Sequence, residues 1–383
     1  MRRSVVLVAL LSVLFTGLTL PESGFAGPLQ PNATFTGGVA FSADAVRGDI
    51  AVDHCPAPQA VRCLQVDTTA TNILPSPNSQ NVTVKAAYLY NVTFAGPLSP
   101  PIGTTLATLN GSPVTLSLLQ GTDPTPIVLQ TYRADVTSIV APLVNGAPKL
   151  TQFSFSVASI NPGSNGLALV VVFSSPGLDP SQSVAILDGG QAGPTLQTTA
   201  FGLANPLDKN IPNFNAVLSL GIQFSDQDVV GHACGQNPSF AQFSTVDVNG
   251  ARLSSCAGNA DKGGLMNGAL ITVGGVGDST ANPSDPFCQA GNPNCSTSDD
   301  ELYGIAGFLK QGDKQVQIAT ANPSNDDSIF LAILQLTAAI NQVCTVGVNC
   351  PTTPPGVPGP ATLILLGAGL LALIAGSRLF RRR

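Results

Sequence analysis

QFSFSVASINPGSNGLALVV, residues 152–171, and QVQIATANPSNDDSIFLAIL, residues 315–334, read as one pair of strands written twice. Each copy opens with apolar and polar residues in alternation, the pattern of a strand with one buried face, and closes on an almost wholly apolar run. Between the two runs stands Asn161-Pro162 in the first copy and Asn322-Pro323 in the second. Proline fixes φ and has no N–H to give, so each pair ends one strand and starts the next. The run LALVVVF, Leu167 to Phe173, has no polar member and predicts a central strand covered on both faces.

Working outward, the order of segments repeats. FNAVLSLGIQF (214–224) corresponds to the long run NVTVKAAYLYNVTF (81–94), and VDVNGARL (246–253) to TLNGSPV (108–114). DELYGIAGFL (300–309) likewise corresponds to ADVTSIVAPL (134–143). The offset is 322 − 161 = 161 at the Asn-Pro pairs and 249 − 110 = 139 at the Asn-Gly pairs, so insertions separate the two. Asn-Gly between strands signals a tight hairpin, because both residues tolerate positive φ. The long run puts Val82, Val84, Ala86, Tyr88, Tyr90, Val92 and Phe94 on one face, a half-buried strand. Further strands are expected near 106–109, 114–118, 127–132, 153–157 and 184–187. The fold class expected is all-β: two related, jelly-roll-like β-sandwich domains in tandem, residues 27–204 and 205–343, the second carrying disulfide-stapled insertions.

Composition agrees with that class. Of 22 acidic residues only Glu22 and Glu301 are Glu. Asp competes with the backbone for hydrogen bonds and favours turns, so helices should be few. The 39 Gly and 31 Pro point to many loops.

Eight cysteines, Cys55, Cys63, Cys234, Cys256, Cys288, Cys295, Cys344 and Cys350, contain no Cys-x-x-Cys, which argues for disulfides over zinc or a thioredoxin-like site. Spacing favours neighbours pairing, 55 with 63, 234 with 256, 288 with 295 and 344 with 350, and other connectivities stay open.

The two ends predict a destination outside the cytoplasm. Arg2 and Arg3 precede an apolar run from Val5 to Leu20, and Gly24-Phe25-Ala26 offers small residues for signal peptidase, with cleavage between Ala26 and Gly27. Residues 344–360 are expected to form a Pro-rich stalk, and 361–383 a transmembrane helix with a basic end. Arg378, Arg381, Arg382 and Arg383 would keep that end cytoplasmic. Without Arg2, Arg3, Glu22 and the four tail arginines, 10 basic and 21 acidic residues remain, so the body is strongly acidic and nucleic acid is excluded as a partner.

The tail VPGPATLILLGAGLLALIAGSRLFRRR resembles the PEP-CTERM sorting signal of Gram-negative bacteria, with Val357, Pro358, Gly359 and Pro360 at the motif and Gly359 where the family has Glu. The resemblance implies processing by an exosortase and delivery to the cell surface or the extracellular polysaccharide matrix. Read without it, the same residues predict an ordinary C-terminal anchor. The body, from Lys85 to Ile340, resembles uncharacterised bacterial surface proteins of the DUF3344-like type, through AAYLY, DVTSIV, GLALVVVF, DDELYGIAGFL and NPSNDDSIFLAIL. That resemblance implies fold and location and brings no catalytic residues.

Enzyme signatures are missing: there is no Gly-x-Ser-x-Gly, His-Glu-x-x-His or Ser-x-x-Lys. The only histidines, His54 and His232, lie beside Cys55 and Cys234 and read as loop residues. Calcium is the one cofactor the residues suggest, because it takes oxygen ligands from loops dense in Asp and Asn. Asn325, Asp326 and Asp327 are candidates, with Asp299, Asp300 and Glu301, then Asp226 and Asp228. The competing role for all of them is turn and cap chemistry at the surface. Three functions are therefore expected in order: a structural or adhesive surface protein, a calcium-dependent module binding polysaccharide or protein, and a hydrolase using paired Asp carboxylates. Stacking on sugars has little support, since the chain has no Trp and four Tyr.

Overall fold

The computed structural model describes residues 29–47, 63–68, 82–95, 103–119, 128–145, 152–159, 163–191, 193–225, 244–258, 269–276, 278, 280, 301–324 and 327–345. The expected signal peptide, the C-terminal helix and residues 346–360 of the expected stalk fall outside them, whereas Cys344 and Thr345, expected to begin the stalk, end a strand that is paired in a sheet. Among the described residues no helix is long and apolar enough to cross a membrane. The described chain is mostly antiparallel β-strand, as the alternating patterns and the scarcity of Glu predict.

One set of strands begins with β2 (Val39–Arg47), after a first strand β1 (Gln30–Thr36) that belongs elsewhere. It continues through β3 (Cys63–Asp67), β4 (Thr83–Ala95), β5 (Thr104–Leu109), β6 (Ser112–Leu118), β7 (Val128–Asp135), β8 (Gln152–Ser159) and β9 (Ser164–Ser174). These eight form one sheet in the order β2-β9-β4-β7-β6-β5-β8-β3. The sheet folds back on itself until β3 lies beside β2, where Gln65 N donates to Asp44 Oδ2 at 2.5 Å and Asp67 N to Ser42 Oγ at 3.0 Å. Leu64, Leu89, Leu109, Leu116, Phe155 and Leu169 fill its interior.

Helix α1 (Thr137–Asn145) packs on β4 through Val140 and Val144. Asp135 Oδ1 accepts from Thr137 N at 2.9 Å, Thr137 Oγ1 accepts from Ala87 N at 2.9 Å, and Asn145 Oδ1 accepts from Val84 N at 2.8 Å, so both helix ends are tied down.

The second set comprises β1 together with β10 (Ser183–Gln191), β11 (Gln197–Leu203), β12 (Ala216–Ser225), β13 (Ser244–Val248), β14 (Ala251–Ala257), β15 (Ala269–Val273), β16 (Leu302–Gly304), β17 (Gln315–Ala321), β18 (Ser328–Leu336) and β19 (Ile340–Thr345). It makes two sheets, β1-β10-β18-β12-β15 with β16 also on β12, and β14-β13-β17-β11-β19. Phe201, Val246, Val316 and Ile318 of the latter meet Leu187, Leu218, Leu220 and Leu334 of the former in a second core.

The eight strands of the first set each have a counterpart in the second, which adds β1, β16 and β19. β10-β18-β12-β15 repeats β2-β9-β4-β7, and β14-β13-β17-β11 repeats β6-β5-β8-β3. A 3₁₀ turn at Ala306–Phe308 stands where α1 stands in the first set. The correspondence extends to single bonds at the two Asn-Gly turns, where φ is 49° and 75° at Asn110 and Gly111, and 49° and 79° at Asn249 and Gly250. Asn110 Oδ1 accepts from Ser156 N at 2.8 Å, and Asn249 Oδ1 from Gln317 N at 2.9 Å. The acceptors lie 139 apart and the donors 161 apart, the two offsets found in the sequence.

Each of these Asn residues therefore supplies both a positive φ and one more rung for the neighbouring strand. Asn249→Gly keeps the turn and loses the rung, an expected cost of about 1 kcal/mol. Asn249→Ala adds the left-handed strain of a Cβ, for about 2 kcal/mol in all. Urea unfolding of the three proteins checks the order, and equal stability of all three would contradict it.

The expected boundary at 204 is corrected. β10 and β11 precede it, yet β10 pairs with β18, while β11 pairs with β17 and β19. β1 pairs with β10 as well, so the first set, 39–174, is inserted in the chain between two neighbouring strands of the second. The physical reason lies in β10 and β18, which are buried at every position. Val184, Ile186, Leu331 and Ile333 face the first core, and Ala185, Leu187, Ala332 and Leu334 the second. A sheet apolar on both faces needs cover on both, and each set supplies one side.

The same packing corrects the expectation for β4: Ala87, Leu89, Asn91 and Thr93, on the face expected to be polar, are buried too. β9 is covered on both faces, as its all-apolar run predicts.

Candidate functional site

The two sets meet along β2, a sheet edge whose free hydrogen-bonding groups must find partners. They find them on the second set at every other residue. Gln182 Nε2 donates to Val39 O at 3.0 Å, Phe41 N donates to Gln335 Oε1 at 3.3 Å, and Val276 N donates to Ala43 O at 2.8 Å. The last contact needs Gly275, whose missing Cβ would stand 1.9 Å from Ala43 O.

Further along this seam lies a part-buried ionic cluster. β7 carries Arg133 and β4 carries Tyr90, which is opposite Arg133 in the ladder, while β10 brings Asp188 from the other set. Arg133 Nη1 donates to Asp188 Oδ2 at 2.5 Å, and the Tyr90 hydroxyl donates to the same oxygen at 2.9 Å. The guanidinium also sits 5.7 Å from the Tyr88 ring centroid, a cation–π contact. Burial pushes the Asp188 carboxyl above its usual range, against the pull of Arg133, and burial pushes the Tyr90 hydroxyl well above its own. At the end of the seam Phe94 stacks on Phe224, with centroids 5.3 Å apart and rings 8° from parallel. Phe224 holds φ at 62°, which a bulky residue seldom adopts, so the stack is kept at a local backbone cost.

A second polar cluster occupies the inner end of the second core. Asp327 is fully buried: Oδ2 accepts from Ser244 Oγ at 2.9 Å, Oδ1 from Ser324 Oγ at 3.4 Å, and its carbonyl from Asn322 Nδ2 at 2.5 Å. Gln191 and Thr320 face each other between the two sheets, with Gln191 Nε2 donating to Thr320 O at 2.7 Å and the Thr320 hydroxyl donating to Gln191 Oε1. Glu301, buried as well, accepts from Gly258 N at 2.8 Å and from Thr272 Oγ1 at 2.6 Å.

Of the calcium candidates, Asn325, Asp326, Asp299, Asp300, Asp226 and Asp228 lie outside the described residues. Asp327 and Glu301 lie within them, and the expected solvated turn role is corrected for both: each carboxylate points inward and accepts internal donors. Among the described residues no three His, Cys, Asp or Glu side chains gather where a metal would sit. Cys63 in β3 and Cys344 in β19 are disulfide-bonded, and their pairings lie outside the described residues. The other six cysteines add no described geometry. Arg133 and Asp188 are absent from the expected set; Asp188 carried one signal in the sequence, a lone charge in the strand SVAILDGGQ.

No protein-family model matches the chain, and no curated protein matches it.

Proposed function

We propose that the chain is an exported, non-enzymatic protein of the Gram-negative envelope, made of two related β-sandwiches and carried to the surface or the extracellular matrix in a structural or adhesive role. The observation that supports this reading best is where the scarce charges are spent. Arg133 and Asp188 tie one strand set to the other, and Asp327 and Glu301 hold strand ends, so the buried ionic chemistry in the described residues serves cohesion. A doubled strand order with a locked seam suits a molecule that must stay folded outside the cell, where disulfides form.

Delivery rests on the tail. The PEP-CTERM-like segment with Val357 to Pro360, followed by the apolar run and the arginines, makes signal peptidase and an exosortase the processing partners, the membrane the first anchor, and extracellular polysaccharide the surrounding medium. Intact mass of the protein recovered separately from membranes and from the medium tests it. The expected result is a chain starting at Gly27 in both fractions, with the medium form ending near Pro360. A membrane form that keeps Ala361 to Arg383, with no released form, would replace sorting by simple anchoring. A chain retaining residues 1–26 in the cytoplasm would overturn the whole reading.

A further inference from the structure

We infer that the first core binds one ordered internal water, held by Thr93 of β4, Gln130 of β7 and Asn165 of β9. These three strands lie side by side, with β4 in the middle. Leu89 is opposite Leu169 inside the first core, and Thr93, four residues along β4, faces the same way. Gln130 is the ladder partner of Thr93 on one side and shares that face. On the other side β9 is bulged: Gly166 is opposite Val92 and Ser164 opposite Thr93, so Asn165 is the extra residue and joins Ser164 in opposing Thr93. Asn165 stands two residues before Leu167, the partner of Asn91, and keeps the inward direction. Adjacent strands lie about 4.8 Å apart, which sets the two carboxamides on either side of the Thr93 hydroxyl.

Thr93, Gln130 and Asn165 are 2%, 3% and 5% exposed, and Thr93 Oγ1, Gln130 Nε2 and Asn165 Nδ2 have no hydrogen-bond partner in the protein. The polar groups around them are bonded to one another. Asn91 Nδ2 donates to Ser159 Oγ at 3.1 Å, and Ser164 Oγ donates to Asn91 Oδ1 at 2.7 Å. The Tyr132 hydroxyl donates to Gln130 Oε1 at 2.5 Å, which leaves the nitrogen as the end of that carboxamide still to be bonded.

The chemistry of the three atoms selects the ligand. Two of them are carboxamide nitrogens, donors only, which rules out a metal cation. An anion would be buried without a counter-charge, because Arg133, the cation on β7, faces the seam on the other side of the sheet and is bonded to Asp188. A water accepts from both nitrogens and donates to Thr93 Oγ1, about the three hydrogen bonds usual for a buried water.

A crystal structure of the full-length chain, at a resolution that shows waters, tests the site. The expected result is one water peak about 3 Å from all three atoms. Carboxamides bonded directly to the Thr93 hydroxyl, with no peak between them, overturn the site. A peak that turns anomalous after bromide soaking overturns the neutral ligand. Thr93→Val gives a second readout, by urea unfolding. It exchanges the hydroxyl for a methyl of similar shape and removes no hydrogen bond between protein groups. With the water bound, the folding constant should fall about 5-fold. Asn165→Leu should lower it as well, and the two losses should not multiply in the double variant, because both act through one water. Stability of Thr93→Val equal to or above that of the wild type overturns the water, since removing a buried hydroxyl that bonds to nothing is neutral or stabilising.

Discussion

Gly275→Ala is expected to lower stability by about 3 kcal/mol or more and to split the urea transition of the full-length chain into two. The added methyl would meet Ala43 O at 1.9 Å and Ala43 C at 2.6 Å, and both are backbone atoms of a strand held on its other edge by β9. Neither side can yield locally, because Gly275 N is itself held by Asp278 Oδ2 at 2.6 Å, and the adjoining Gly274 is pressed against Glu301, its own Cβ position 2.1 Å from Glu301 O. The turn must therefore lift off β2. Lifting breaks the Val276–Ala43 bond and draws Ile271 and Val273 out of the first core, which joins an overpacking cost to a lost hydrogen bond and lost burial.

Since that turn is one of three points where β2's edge is satisfied, the sets should then unfold less cooperatively, seen as a smaller slope at each step. Gly111→Ala is the control. Its φ is positive at 75°, but nothing lies within 4 Å of the new atom, so about 1 kcal/mol of backbone strain is expected and no splitting. Similar small losses in both variants would show that the seam does not depend on Gly275.

The repeat was open to reading because alternation and Asn-Gly are local signals: the alternating runs fall on strands and both Asn-Gly pairs on hairpins, while Asn322-Pro323 stands between β17 and β18 and Asn161-Pro162 lies outside the described residues. The way the strands group was not. β10, SVAILDGGQ, precedes a Gly- and Pro-rich stretch that reads as a boundary, and a turn signal says that a strand ends without saying which sheet it joined. β11, inside that stretch at Gln197–Leu203, has too few apolar residues in alternation to stand out.

The inward carboxylates escaped for a related reason. Asp at a strand end favours a turn, and only register shows that Asp327 and Ser244 come together 83 residues apart. Arg133 and Asp188, 55 residues apart on strands of different sheets, meet only because the two sets dock.

The docking gives that pair its second expected result, Arg133→Met, with a loss of about 2–3 kcal/mol near neutral pH. Asp188 would keep its Tyr90 hydrogen bond but lose the cation that offsets its burial, and a buried charge left without its partner costs more than the pair contributes. The figure stays at the lower end because the Arg133 side chain keeps 28% of its exposure and is partly hydrated already.

The sign of the pH dependence follows from Asp188. Its folded-state pKa is raised by burial, so its contribution to stability is fully present below the ordinary carboxylate value of about 4 and is lost as pH rises through the raised value. Removing Arg133 removes the strongest influence holding that pKa down, which moves the loss to higher pH and deepens it. The deficit of Arg133→Met should thus shrink as the medium is acidified toward pH ~4. Asp188→Asn should cost less than Arg133→Met at neutral pH, because a freed guanidinium can turn toward water while a freed carboxylate cannot. The double variant should recover part of the Arg133→Met loss. Urea unfolding of the four proteins across that pH range decides the matter. A deficit for Arg133→Met that stays constant or grows on acidification would mean that Asp188 is not the group left exposed to the cost of burial.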